Sequence, residues 1–222
     1  MSSSMIQIVI LAGIALFLVL QLRRVLGTRD GFEGRNEPPT PIANGRAGNQ
    51  RQFEVIDGGP DQDIADFVDP DSPTGRALAK MKTVEPSFNV SQFTGGAKAA
   101  YEMILMAFEN GDVDTLRDFL SEDVYESFLG AVAAREDSGL KIEANFIGVR
   151  ETKVADAEFD EATREAEVTM RFVGELTSVV RDADGNIVEG DETEVKRQRD
   201  VWTFARIMGS DDPNWKLVAT KT

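Results

Sequence analysis

The sequence contains no cysteine and no histidine. Without cysteine there is no disulfide framework, no thiol nucleophile, no iron–sulfur cluster and no cysteine-based zinc site. Without histidine there is no Ser-His-Asp triad, no imidazole base and no imidazole metal ligand. Tyrosine and tryptophan occur only twice each. Basic residues are scarce as well: 24 Lys and Arg face 39 Asp and Glu, for a net charge of −15. That balance argues against a nucleic-acid binder, which needs a basic surface to neutralise phosphates.

Charge is missing altogether from the first 22 residues. Met5 to Leu22 is a nearly continuous apolar run, and at 1.5 Å per residue it spans roughly 27 Å, about one bilayer core. It offers water no polar face, which argues against a buried helix of a globular domain. It also lacks the basic leader and the small-x-small site of a cleaved signal peptide. Arg23, Arg24 and Arg29 follow it directly. They are expected to contact the membrane surface, with the N-terminus outside and the remaining chain in the cytoplasm. Residues 1–26 are thus read as one membrane-spanning helix with a basic exit.

The charge is unevenly spread beyond that point. Residues 23–56 hold six Arg against four acids, whereas residues 57–222 hold 18 basic and 35 acidic residues, net −17. Residues 27–71 are rich in Gly and Pro with little apolar periodicity, so they are read as a flexible linker. Asp57, Asp61, Asp63, Asp66, Asp69 and Asp71 make its second half acidic, as in a spacer extended by self-repulsion rather than a metal site.

Ser72-Pro73 is an N-cap followed by Pro at the first helical position. Over 72–84, Arg76, Lys80 and Lys82 alternate with Ala77, Leu78, Met81 and Val84. This short basic amphipathic helix could touch anionic lipid or a partner, or dock on the domain. Val90 to Asn110 repeats apolar residues at helical spacing through Phe93, Ala97, Ala100, Tyr101, Ile104, Leu105 and Phe108, with Gly111 as its stop. Asp112 and Ser121 cap two further helices, the second ending near Gly139.

After Gly139 the period falls to two. Leu140 to Phe146 and Ala166 to Phe172 alternate, Val179 to Val188 forms a hairpin at Asp184-Gly185, and strands follow over Val195–Met208 and Trp215–Ala219. Helices first and strands after imply an α+β domain over 85–222, its helices packed on a curved antiparallel sheet. The order is that of the cone-shaped nuclear-transport-factor-2-like fold. Asp182, Asp184, Asn186, Glu189 and Asp191 superficially imitate a calcium loop, but Gly185 stands at the fourth position and the spacing suits a turn. No cofactor or metal is implied.

The exit Leu22-Arg23-Arg24-Val25-Leu26-Gly27-Thr28-Arg29 and the stretch Gly96-Ala97-Lys98-Ala99-Ala100-Tyr101-Glu102-Met103-Ile104 resemble the alphaproteobacterial TimA family. So do Ala107-Phe108, Gly111-Asp112, Leu120-Ser121, Tyr125, Arg135-Glu136, Asp200-Val201-Trp202-Thr203-Phe204 and Asp212-Pro213-Asn214-Trp215-Lys216-Leu217. TimA proteins are relatives of the forty-four-kilodalton TIM subunit that anchors the mitochondrial import motor. The resemblance covers the apolar segment and roughly Glu85 to Thr222. It departs at Ala205, where the pattern has Glu and an ion pair to Arg206. The charged N-terminal region through which the mitochondrial protein meets its Hsp70 is not recognisable.

The resemblance implies a membrane-tethered adaptor or scaffold in protein translocation or membrane-protein handling, with partners in translocase or chaperone machinery. The alternative is a lipid-, peptide- or small-molecule-binding module. Tyr101, Ile104, Phe108, Phe172, Trp202 and Phe204 would line its mouth, or else fill the core as folding alone requires. An enzyme is not expected. The acid–base candidates are carboxylates, Lys and Tyr, and no local signal ties Tyr101 or Tyr125 to a particular acid.

Overall fold

Asp61 opens the described part of the chain by accepting the Asp63 backbone N–H, which caps a single helical turn, α1 (Gln62–Ala65). The computed structural model describes residues 61–221. The apolar run Met5–Leu22, the cations Arg23, Arg24 and Arg29, and the linker up to residue 60 lie outside them. Among the described residues no helix is long and apolar enough to cross a membrane.

Residues 61–71, read from sequence as the end of an extended linker, are folded onto the domain. Ile64 is buried, and Phe67 and Val68 pack against the core. The Asp63 carboxylate accepts the backbone N–H groups of Val90 at 2.7 Å and Ser91 at 3.0 Å. Lys82 pairs with both Asp61 and Asp63. These acids do not repel one another into an extended spacer, because a lysine and an open helix start take up their charge.

Ser72 caps α2 (Pro73–Val84) by accepting the Gly75 N–H at 3.0 Å. Leu78 and Met81 on its inner face are fully buried. Asn89 then caps α3 (Val90–Asn110), and Gly111 ends it in the left-handed conformation at φ +71°. Glycine holds that conformation without the steric cost of a side chain. Asp112 caps α4 (Val113–Phe119). Ser121 stands at the cap position of α5 (Glu122–Asp137), but its side chain makes no capping bond. Its backbone N–H instead donates to the Leu217 carbonyl at 3.0 Å, which fastens the helical half to the last strand.

The sheet is an antiparallel meander in the order β1-β2-β3-β4. Its strands are β1 (Lys141–Phe159), β2 (Glu165–Arg181), β3 (Ile187–Ile207) and β4 (Lys216–Lys221). β1 runs well past Phe146, where the sequence alternation stops. Three register shifts in β1, around Ile147, Arg150 and Ala155, put Val149, Val154 and Phe159 out of step with a period of two. Bulges of this kind bend and twist a strand. Ala166, Val168, Met170 and Phe172 on β2, Trp202 and Phe204 on β3 and Leu217 on β4 are buried with the inner face of α3.

Candidate functional site

The six residues named as a possible mouth lie in the hydrophobic core or packed against it. Tyr101, Ile104 and Phe172 are fully buried, and Trp202 and Phe204 are nearly so. Tyr101 stacks on Phe172 with ring centroids 4.5 Å apart and packs against Trp202 at 4.7 Å. Phe204 continues the cluster to Phe93 and thence to Trp215. Phe108 is half-buried away from them, against Phe128 and under the Arg135 guanidinium. The aromatic set is packed core.

Within this core the Tyr101 hydroxyl donates to the Asp200 carboxylate at 2.6 Å, and Gln198 donates to the other carboxylate oxygen. Asp200 is the sole buried charged residue among those described. Burial pushes its carboxyl above the ordinary aspartate range against the opposing pull of its two donors. Burial, then the neighbouring carboxylate, pushes the Tyr101 phenol far up as well. This is the acid–tyrosine pair that sequence alone could not connect. Its atoms face packed rings, and the bond ties α3 to β3. Tyr125 takes a different partner, the Arg117 guanidinium, which both donates to its hydroxyl and covers its ring.

Arg206 has a partner despite Ala205. Its guanidinium donates to Glu85 at 2.6 Å and to the Pro213 carbonyl, and lies 5.3 Å from the Trp215 ring centroid. Glu85 also accepts the Gly209 N–H. The Arg206 bond, chief among these, holds the Glu85 carboxyl below its usual range. The ion pair therefore joins the end of α2 to the end of β3.

The basic helix gives up its cations unequally. Lys82 is turned inward to Asp61 and Asp63, with only 18% of its side chain exposed. Arg76 donates to the Asp71 carbonyl. Lys80 pairs at the surface with Glu161. Lys82 is thus removed from the set offered to a membrane surface, while Arg76 and Lys80 remain exposed. At the β2–β3 hairpin the Asp182 carboxylate accepts the backbone N–H groups of Asp184 and Asn186, so these acids shape a turn. Among the described residues no group of three or more acids is placed to hold a metal ion.

Sequence reasoning missed a depression of about 590 Å³ on the opposite side of the sheet, lined by Ile147, Arg150, Glu175, Val195 and Arg197. Arg150 and Arg197 both donate through Nε to one Glu175 oxygen, at 2.6 and 3.0 Å. They hold the Glu175 carboxyl below its usual range. Ile147 and Val195 are half exposed beside them. Ile147 and Arg150 are the residues at two of the β1 register shifts, and the irregular stretch of β3 carries Val195. The signal available in the sequence was the loss of alternation after Phe146.

Residues 74–222 match the family model for the Tim44-like domain. The chain is 25% identical over 144 residues to the human mitochondrial import inner membrane translocase subunit TIM44, covering 64% of this chain and 31% of that one. It is 21% identical over 162 residues to Arabidopsis thaliana subunit TIM44-1, covering 70% and 34%. The chain thus spans about a third of the length of these relatives. Among solved structures, the intermembrane space region of chloroplast protein ARC6 aligns with a TM-score of 0.36 and 14% identity, over 65% of this chain and 94% of that one.

Proposed function

The chain belongs to the Tim44-like domain family, and from that premise we propose that it is a membrane-tethered adaptor or scaffold in protein translocation or membrane-protein handling. The observation that carries this reading is the family match, which runs from α2 to the last strand. The apolar run Met5–Leu22 with Arg23, Arg24 and Arg29 supports a single span in a bacterial inner membrane, with the domain on the cytoplasmic side. The order of helices before a bulged meander supports the cone-shaped architecture. The protein acts by holding other proteins, with translocase or chaperone components as partners, and does so without catalysis. The filled aromatic core favours this reading over a lipid, peptide or small-molecule binder that uses the mouth of the cone.

The test is photocrosslinking in native membranes from probes placed on the exposed face of α2, at Thr83 or Lys80. Adducts with translocase subunits or their chaperones are the expected result. A profile free of such components, with the protein present at its normal level, overturns the reading.

A further inference from the structure

We propose that the outer face of the β1–β2–β3 sheet is a docking surface for a short, extended acidic segment of a partner protein. Residues directly opposite across a sheet share a face, as do residues two apart along a strand. The register therefore places Lys153, Arg171 and Val201 in one row, Glu151, Val173 and Arg199 in the next, and Gly148, Glu175 and Arg197 in a third. Arg150 joins them through its bond to Glu175. The opposite face of the same strands is the buried one that carries Met170, Phe172 and Trp202.

This face bears five cations, Arg150, Lys153, Arg171, Arg197 and Arg199, against the carboxylates of Glu151 and Glu175. It is a basic island on a chain of net charge −15. Arg171 and Arg199 are exposed and make no ion pair among the described residues. Arg150 and Arg197 are fixed through Nε by Glu175, which leaves their Nη groups without a protein acceptor among those residues. Such pre-positioned guanidinium forks suit directional bonds to carboxylates. Ile147, Val173 and Val195 supply apolar contact between the charges.

Geometry and charge together limit the occupant. The rows are about 6.7 Å apart along each strand, so the island spans roughly 13 Å. An extended peptide repeats its side chains at the same interval, and alternating carboxylates would meet successive rows. Acids stand on the same face beyond both ends of the island: Glu158 and Glu167 oppose each other at one, and Glu143, which opposes Val179 and pairs with Arg181, stands at the other. A long polyanion or a flat anionic membrane would press against those acids, whereas a short acidic segment fits between them.

This inference names a partner chemistry for the adaptor reading and rests on that reading for its biological role, but its binding test does not. The full chain in detergent micelles is titrated into a fluorescent, end-blocked peptide that alternates Glu with Val, and anisotropy is followed. Saturable binding that weakens with added salt is expected, lost by at least about tenfold in R171E/R197E. K80E, on α2, should leave it unchanged. E175Q makes the face more positive but frees its guanidinia, so weaker binding is expected; tighter binding would mean diffuse attraction and overturn the proposal. So would failure of the peptide to bind, or R171E/R197E binding it as well as the parent while both show the same near-UV spectrum. If phosphatidylglycerol vesicles compete for the face and the peptide does not bind, the occupant is a membrane and the proposal falls. Translocase adducts without peptide binding would sink the docking surface and leave the adaptor. Peptide binding without such adducts would do the reverse.

Discussion

The Tyr101 hydroxyl and the Asp200 carboxylate meet at 2.6 Å although 99 residues separate them in sequence. The bond crosses from the middle of α3 to β3 and satisfies a carboxylate that is 1% exposed. A buried carboxylate short of donors is costly, so the pair fixes how the helix is seated on the sheet.

Replacing Tyr101 by Phe keeps the stacked ring and removes the donor. The expected loss is about 1–3 kcal/mol at neutral pH, read by denaturant unfolding. Burial raises the Asp200 pKa, so folding binds its proton more tightly than the unfolded chain does. Stability from this group is present below the ordinary aspartate range and lost as pH rises through the raised folded value. The Tyr101 bond opposes that loss. The deficit of Tyr101→Phe should therefore shrink as pH falls and Asp200 protonates; a deficit independent of pH would contradict this assignment.

Glu85 titrates in the opposite sense. Arg206 lowers its folded pKa, so its contribution is present above the ordinary glutamate range and lost as pH falls through the depressed value. Glu85→Gln should cost about 1–3 kcal/mol at neutral pH, between the values for exposed and buried pairs. The parent and variant stability curves should converge under acid. Curves that stay apart there would show that packing against Trp215, rather than charge, supplies the effect.

Asp63 gives a local test of how residues 61–71 are held. Burial acts to raise its pKa, but the bonds from Lys82, Val90 and Ser91 outweigh it and the pKa is lowered. Asp63→Ala removes the helix-start acceptor and should cost about 1–2 kcal/mol. Amide hydrogen exchange should quicken at Val90 and Ser91 and within α1 before it changes in the sheet. Uniform quickening across the domain would mean that α1 has no separate anchorage.

Gly174 sits where a side chain has no room. A Cβ there would lie 2.7 Å from the Tyr101 hydroxyl oxygen. Gly174→Ala should displace that hydroxyl and cost about 1–3 kcal/mol, lowering the melting temperature by several degrees. In a Tyr101→Phe background the nearest atom is gone and only the ring carbons at 3.1 and 3.3 Å still press on the added Cβ, so the penalty should be smaller. Additive penalties in the double variant would refute the steric account.

Helices α2 to α5 were legible because their signals are local. Ser72-Pro73 marks the start of α2, and an apolar stripe from Val90 with Gly111 as its stop marks α3. What escaped reading depends on distance or irregularity. The second half of β1 hides behind three register shifts. The partner of Arg206 lies 121 residues away, and the acids at 61 and 63 resemble a solvated spacer until Lys82 and the start of α3 are brought to them. The basic sheet face was diluted in the same way. Each strand contributes one or two cations among ordinary outer-face residues, and only the register gathers Arg171, Arg197 and Arg199 into one island.

The bond from Ser121 to Leu217, with the bridge between Leu120 and Leu217 beside it, has a consequence for how the domain comes into being. The helices are made first, yet their apolar face finds its cover only in strands translated afterwards, and Leu217 belongs to the last of them. Contacts of such wide sequence separation slow folding and defer cooperativity. A nascent chain that has emerged only as far as β2 carries Tyr101 without Asp200 and α5 without its tie to β4. The domain closes late, and until then the apolar faces of its helices stay uncovered.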